Sequence, residues 1–218
     1  MAYVKHSIIS FGIMSTLKDK LSNIPAMDEK HVEPTFRDIA ESILYGGYIK
    51  VRDEYRIYVK TVEFYFHAEE GSIFHISDPI VYHRNGKFPG MNLPYFPLLT
   101  LHAHVSGFDI TFENEQYKYR ASALIRAYAI YDVKSKSFIK NEKGKIYDDR
   151  STFLYNYLNG FSLDNSNDIE WVDEKTKVLH VISEPSPRKN VYVYVDGKKT
   201  GERDKRLWSF TRKNDIEL

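Results

Sequence analysis

Residues 55–66 read Tyr55-Arg56-Ile57-Tyr58-Val59-Lys60-Thr61-Val62-Glu63-Phe64-Tyr65-Phe66, and this run decides the fold. It holds neither Gly nor Pro, and it is rich in β-branched and aromatic residues whose apolar and polar members alternate, the period-two pattern of a long strand. In a strand Thr61, Glu63, Tyr65 and His67 share one face, while Val62, Phe64 and Phe66 occupy the other. The same grammar returns at residues 99–105, 108–113, 117–131, 191–195 and 207–211, with an Asp196-Gly197 turn after the fourth of these. Ahead of the run, Ser15 to Asp19 opens a short helix. Phe36, Ile39, Ile43 and Leu44 then fall at helical spacing over 34–45, and Gly46-Gly47 supply the stop. A further short helix fits 151–158, closed by Asn159-Gly160. Helices, then strands, then one helix and strands again describe an α+β, strand-rich single domain: a curved, mostly antiparallel sheet with peripheral helices. Residues 1–47 form the helical N-terminal part, packed on a strand-rich core over 48–218.

Composition narrows the chemistry. The chain has 218 residues, 42% of them hydrophobic, enough for a sizeable core. It contains no Cys, so disulfides, thiolate nucleophiles, Cys-ligated zinc and iron–sulfur clusters are excluded. The 31 basic and 30 acidic residues leave a formal charge of +1, and no overall field attracts a polyanion, although a local basic strip is compatible with that sum. Tyr, at 17 residues, outnumbers Phe at 13 and Trp at 2, which suggests half-buried strands and aromatic-lined clefts. The opening MAYVKHSIISFGIM does not read as a signal peptide, and nowhere do 18 apolar residues run together. The expectation is a cytoplasmic protein with no membrane partner. There is no repeat, low-complexity tract or linker. No Walker A loop, dinucleotide fingerprint or Gly-x-Ser-x-Gly elbow is present, and no cofactor is expected.

Several constellations can carry chemistry. Glu63 shares a strand face with a phenol and an imidazole, and aromatic bulk beside a carboxylate moves its pKa towards the range of a general base; the plainer reading is a solvent-facing Glu on an edge strand. Asp78-Pro79-Ile80-Val81-Tyr82-His83 is a loop rich in polar and aromatic groups, with His83 either in a site or simply hydrogen-bonded within a turn. His102 and His104 project to one face of a strand, as some zinc sites require, with Glu63, Asp78 or His83 as conceivable third ligands. Asp109, Thr111 and Glu113 alternate against Phe108, Ile110 and Phe112, one face polar and the other core. Arg126 ends a small, apolar run and needs an anion, either Glu63 or Glu113 or a bound substrate. The tail 184–218 has nine Lys or Arg against six Asp or Glu around Trp208 and Phe210, compatible with phosphate contact and equally with a solvated surface.

Taken in order, these pieces resemble the methylpurine (3-methyladenine, alkyladenine) DNA glycosylase family. The family's Val-Glu-Thr-Glu-Ala-Tyr strand, whose second Glu is the catalytic base, is similar to Lys60-Thr61-Val62-Glu63-Phe64-Tyr65. Its Asp…Ala-His segment resembles Asp78 to His83, and its Leu-Tyr-Val-Tyr-x-x-Tyr-Gly turn resembles Leu101-His102-Ala103-His104-Val105-Ser106-Gly107, one residue shorter. Leu124-Ile125-Arg126-Ala127-Tyr128 is similar to the family's Leu-x-Arg-Ala-Leu-Glu-Pro strand. Residues 151–159, Pro187-Arg188 and Leu207-Trp208-Ser209-Phe210 resemble its later helix and its C-terminal signatures. The resemblance spans about 48–210.

It implies that Glu63 activates water against the sugar C1′ of a flipped nucleotide and that Arg126 holds Glu63. Tyr65 and His83 would then sandwich the base, with His102, His104, Ser106 and Glu113 also lining the substrate site. The sequence departs from the family where Ser106 replaces the Tyr that wedges into the duplex, where Glu113 stands near an Asn that selects the base, and where His102 and His104 replace a Tyr pair. Three functions follow as expectations: an N-glycosylase removing alkylated or deaminated purines from DNA, a non-catalytic or repurposed pocket of the same fold for a small molecule or partner, and a His102/His104 metal hydrolase.

Overall fold

The structure is a computed structural model, and it describes residues 15–86, 92–158, 168–174, 178–195 and 198–216. Two helices come first, α1 (Leu17–Ser22) and α2 (Val32–Tyr45), followed by strands β1 (Gly47–Val51) and β2 (Tyr55–Ala68). Then come β3 (Thr100–His104), β4 (Gly107–Thr111), β5 (Tyr119–Asp132) and the two-residue strands β6 (Ser137–Phe138) and β7 (Tyr147–Asp148). A 3-10 turn (Ser151–Leu154) runs into α3 (Tyr155–Leu158), and β8 (Ile169–Asp173), β9 (Tyr192–Val195), β10 (Lys198–Arg203) and β11 (Ser209–Thr211) complete the chain. The α+β class, the single domain and the strand-rich, curled antiparallel sheet are as the sequence indicates. The opening segment 1–14, the Asn159-Gly160 stop and the Asp196-Gly197 turn lie outside the described residues. No helix among the described residues is long and apolar enough to cross a membrane.

The main sheet runs β3-β4-β5-β2-β1-β8, with β11 added along β2 and β6 and β7 along β5, while β9 and β10 form a separate two-stranded ribbon. β2 is therefore a central strand and not an edge. α2 covers one face of the sheet. Its apolar stripe of Phe36, Ile39, Ala40, Ile43 and Leu44 is buried against Val62, Phe64 and Phe66. The Phe36 ring stacks on Phe64 at 4.5 Å and meets Trp208 edge-on at 5.2 Å. The helix begins at Val32, two residues before the expected start, because Pro34 sits in its first turn, where no intrahelical N–H is needed. At its end Gly47 lets β8 approach: a Cβ there would stand 2.1 Å from the Val172 carbonyl oxygen. β1, β8 and β10 are absent from the sequence reading as strands in their own right; β8 and β10 are short and half-exposed or exposed, with weak alternation.

Register decides which side chains share the opposite face. Glu63 pairs with Leu124, Tyr65 with Ser122 and His67 with Arg120 across β2 and β5. Asp109 pairs with Leu124 and Thr111 with Ser122 across β4, and His102 lies opposite Asp109 on β3. Directly opposed residues point to the same face. One surface of four adjacent strands thus collects Glu63, Tyr65, Ser122, Asp109 and His102, while Phe64, Ala123 and Ile110 face α2. The alternation does not run unbroken through 55–66. β2 and β5 each slip by one residue near Lys60–Thr61 and Arg126–Ala127, so that Ile57 and Val59 join the core beside Val62 and Phe64. A bulge of this kind re-aims the side chain it carries.

Candidate functional site

Arg126 sits at that bulge and turns towards Glu63. Its Nη2 donates to Glu63 Oε2 at 2.6 Å, and its Nη1 reaches Ser151 Oγ at 3.4 Å. Tyr65, two residues along the same face, donates its hydroxyl to Glu63 Oε2 at 3.4 Å. The third donor is the backbone N–H of Lys189, 2.8 Å from Glu63 Oε1. Glu63 is only 1% exposed, so its charge depends on these three donors. Burial opposes the charge on Arg126, but the hydrogen bond and field of Glu63 outweigh it and raise the guanidinium pKa. Burial first, and then the Glu63 carboxylate, push the Tyr65 phenol well above its ordinary value, which keeps its proton available for donation.

Lys189 is in place because its neighbour is anchored. The Arg188 guanidinium is buried, donating to Asp78 Oδ2 at 2.5 Å, to the Phe64 carbonyl at 3.1 Å and to Asp204. It lies between the rings of Tyr65 and Trp208, 4.7 and 4.8 Å from their centres. Arg206 adds a second cation, 3.0 Å from Asp78 Oδ1. Two guanidinium groups and two carboxylates therefore hold Arg188 and residues 204–206 against Asp78 and the Phe64 carbonyl of β2, and the Lys189 N–H arrives at Glu63 as a consequence.

A cleft of about 610 Å³ opens above this cluster, walled by Tyr65, Tyr82, His83, His104, Ser106, Asp109, Ser122 and Arg126. Lys189, Tyr192, Tyr194 and Lys199 from the C-terminal part close its far side. Each of the two histidines in the wall is paired with a carboxylate. His83 Nδ1 contacts Glu113 Oε1, and Glu113 Oε2 accepts from Arg120 Nη1 at 2.9 Å and from the Phe96 N–H at 2.8 Å. His104 Nε2 faces Asp109 Oδ1 at 3.1 Å, and Ser122 Oγ donates to Asp109 Oδ2 at 2.9 Å. The Ser106 N–H donates to His104 Nδ1 at 3.2 Å, so in the neutral ring the proton sits on Nε2 and points at Asp109. The Tyr82 ring lies between the pairs, 4.7 Å from His83 and 5.2 Å from His104.

Of the residues singled out from the sequence, Glu63, Tyr65 and Arg126 form one contact cluster. Tyr65, His83, His104, Ser106 and Arg126 line one cleft, with Glu63 beneath Tyr65 and Arg126. His102 and Glu113 stand behind that wall. His102 stacks on Phe96 at 4.2 Å, and burial lowers its pKa, while Glu113 is held between His83 and Arg120. Among the described residues no three His, Asp or Glu side chains come together in a metal-binding arrangement. Asp109, Ser122, Lys189, Tyr192 and Tyr194 escaped the sequence reading as site residues. Asp109 was legible as a polar strand position, but its place in the cleft follows only from pairing β4 with β5. Buried polar atoms without a hydrogen-bond partner among the described residues include Tyr82 OH and Arg126 Nε, both on residues of this cleft. Such atoms cost about 1–3 kcal/mol each and tend to mark functional sites. Compared with family models, with curated proteins and with solved structures, the chain matches none of them.

Proposed function

We propose that the cleft takes a nucleotide unit and hydrolyses its N-glycosidic bond, in the manner of enzymes that excise alkylated or deaminated purines. The observation that carries this reading is the buried Glu63 carboxylate, joined to Arg126 and Tyr65 at the base of an aromatic, cation-bearing cleft. Three donors occupy Glu63, and a carboxylate offers about four acceptor positions, which leaves one on Oε1 to hold a water. In the reaction that water adds to the sugar C1′ and gives a proton to Glu63. The bond from C1′ to the base nitrogen breaks, and the base leaves with the bonding electrons. A neutral base takes up a proton as it leaves, and His83 is the proposed donor. Its Nδ1–H is tied to the Glu113 carboxylate, so the proton given to the base comes from Nε2 of the imidazolium, which is left as the neutral ring. Tyr65 and Tyr82 supply the flat apolar walls a base requires.

The protein is expected to release free base from oligonucleotides carrying hypoxanthine, ethenoadenine or 3-methyladenine in single turnover, with Glu63→Gln lowering the rate by at least about 100-fold. Failure of the unmutated protein on every such single strand and duplex would remove the proposal. One observation favours a second reading, a pocket that binds without excision: Glu63 does not itself border the cleft, since Tyr65 and Arg126 stand over it. In that case a nucleoside or small ligand would bind with equal affinity to the unmutated protein and to Glu63→Gln, and no base would be released.

A further inference from the structure

We infer that the cleft-facing side of the β9–β10 ribbon is a binding surface for single-stranded nucleic acid, which names the substrate class of the site just proposed and rests on that reading of the cleft. The inference comes from register. Tyr194 lies directly opposite Lys199, and Tyr192 opposite Arg203, across the ribbon, with a bulge of two extra residues in β10 between Lys199 and Arg203. Opposed residues share a face, and so do residues two apart in a strand, so two phenol rings and two cations alternate on one surface. Tyr192, Tyr194 and Lys199 border the cleft, and Lys189 borders both the cleft and an adjoining hollow of about 540 Å³ whose rim carries Arg203 and Lys205.

The charges on this surface are available. Among the described residues Lys189, Lys199 and Arg203 make no ion pair, whereas Lys205 is held 2.9 Å from Glu202. All three are exposed, and Lys199 Nζ rests over the Tyr192 ring at 3.6 Å. Cations without an ion-pair partner among the described residues, interleaved with aromatic rings, thus stand beside the aromatic cleft. Cations on this pattern meet phosphates, and phenol rings accept any base by stacking.

The spacing selects a single strand. Tyr192 and Tyr194 sit about 6.7 Å apart along the strand, roughly twice the 3.4 Å rise of stacked bases in a duplex, a separation that an unstacked, extended strand meets. Across the cleft the β3–β4 turn presents only Val105, 92% exposed, and Ser106, neither large enough to fill the gap left by a base drawn out of a helix. A strand that is already unpaired leaves no such gap.

The test is fluorescence anisotropy of a labelled, undamaged 12-nucleotide oligothymidylate and of a blunt duplex of equal length, titrated with the full chain at several salt concentrations. The single strand is expected to bind at least about tenfold more tightly than the duplex, with a log–log salt slope near −2, about −0.7 for each of three phosphate contacts. Lys199→Ala/Arg203→Ala is expected to bring the slope to about −0.7. Tyr194→Ala is expected to weaken binding about five- to tenfold at an unchanged slope. These positions are on the surface, and an unchanged melting temperature would show the variants folded. Duplex binding as tight as that of the single strand, no binding at low salt, or an unaltered slope in the double variant would overturn the inference. Single-strand binding without base release would leave the surface standing and remove the catalytic reading. Base release from duplex alone, with the ribbon variants as active as the parent, would do the reverse.

Discussion

Glu63 illustrates how a single residue's role depends on what is folded over it. On its own strand it shares a face with Tyr65, as the alternation of residues 61–67 indicates, and the need of Arg126 for an anion pointed to Glu63 or Glu113. Glu63 is the partner taken, and Glu113 goes instead to Arg120 and His83. No pattern in the sequence distinguishes those pairings, because the choice is made by a bulge in β5 and by a backbone N–H arriving from residue 189. The same dependence makes the pair testable. Arg126→Met removes the 2.6 Å donor from a carboxylate that water barely reaches, and is expected to cost about 3 kcal/mol in urea unfolding. Adding Glu63→Gln to that variant is expected to restore part of the loss, because the uncompensated charge disappears. Strict additivity of the two changes would show that the pair is not coupled.

Elements carry the next level of the site. The long strands β2 and β5 and the helix α2 were legible because fourteen-residue strands and a fourteen-residue helix hold many periods of their pattern. The ribbon that closes the cleft was only half legible: β9 alternates aromatic and aliphatic residues, but β10, Lys198–Arg203, is polar throughout and reads as loop. Its strand character comes from pairing, which is a tertiary effect. The β3–β4 turn depends on Gly107, whose φ of +133° is a conformation that L side chains rarely adopt. A Cβ there would also stand 2.8 Å from Ser151 Cβ, in the 3-10 turn that packs below it. Gly107→Ala is therefore expected to destabilise the protein by at least about 1 kcal/mol and to displace the wall bearing His104 and Ser106, seen as a lower thermal midpoint together with weakened ligand binding. An unchanged midpoint would show that the turn and the 3-10 segment move independently.

At the scale of the whole molecule, the near-zero net charge conceals a division of labour. Arg120, Arg126, Arg188 and Arg206 are spent on Glu113, Glu63, Asp78 and Asp204, while Lys189, Lys199 and Arg203, which make no ion pair among the described residues, stand at the cleft and the adjoining hollow. The internal pairs set the response to acid. Burial tends to raise the Asp204 pKa, but hydrogen bonds from Arg206 and Arg188 prevail and bring it down to about 2. A carboxyl depressed in the folded state contributes stability that is complete above its unfolded value, near 3.9, and is lost as pH falls through about 2. His67 acts earlier. Burial, with Arg84 adding to it, lowers its pKa, and its Nδ1 accepts from the Asp78 N–H, so the unfolded chain takes up this proton more readily than the folded one. Stability is thus expected to fall in two stages, first below about pH 6.5 and again below about pH 4, when urea midpoints are followed against pH. His67→Gln should flatten the first stage, and Asp204→Asn the second. A single stage unaffected by either change would contradict the assignment. Reaction in oxygen-18 water separates hydrolysis of a glycosidic bond above Glu63 from binding alone. Oligonucleotides carrying each of the three damaged purines, incubated with excess protein, are expected to yield unlabelled free base and a sugar labelled at C1′, and the Glu63→Gln protein neither. Unlabelled strands that keep their damaged purine after prolonged incubation with the unmutated protein would contradict that hydrolysis.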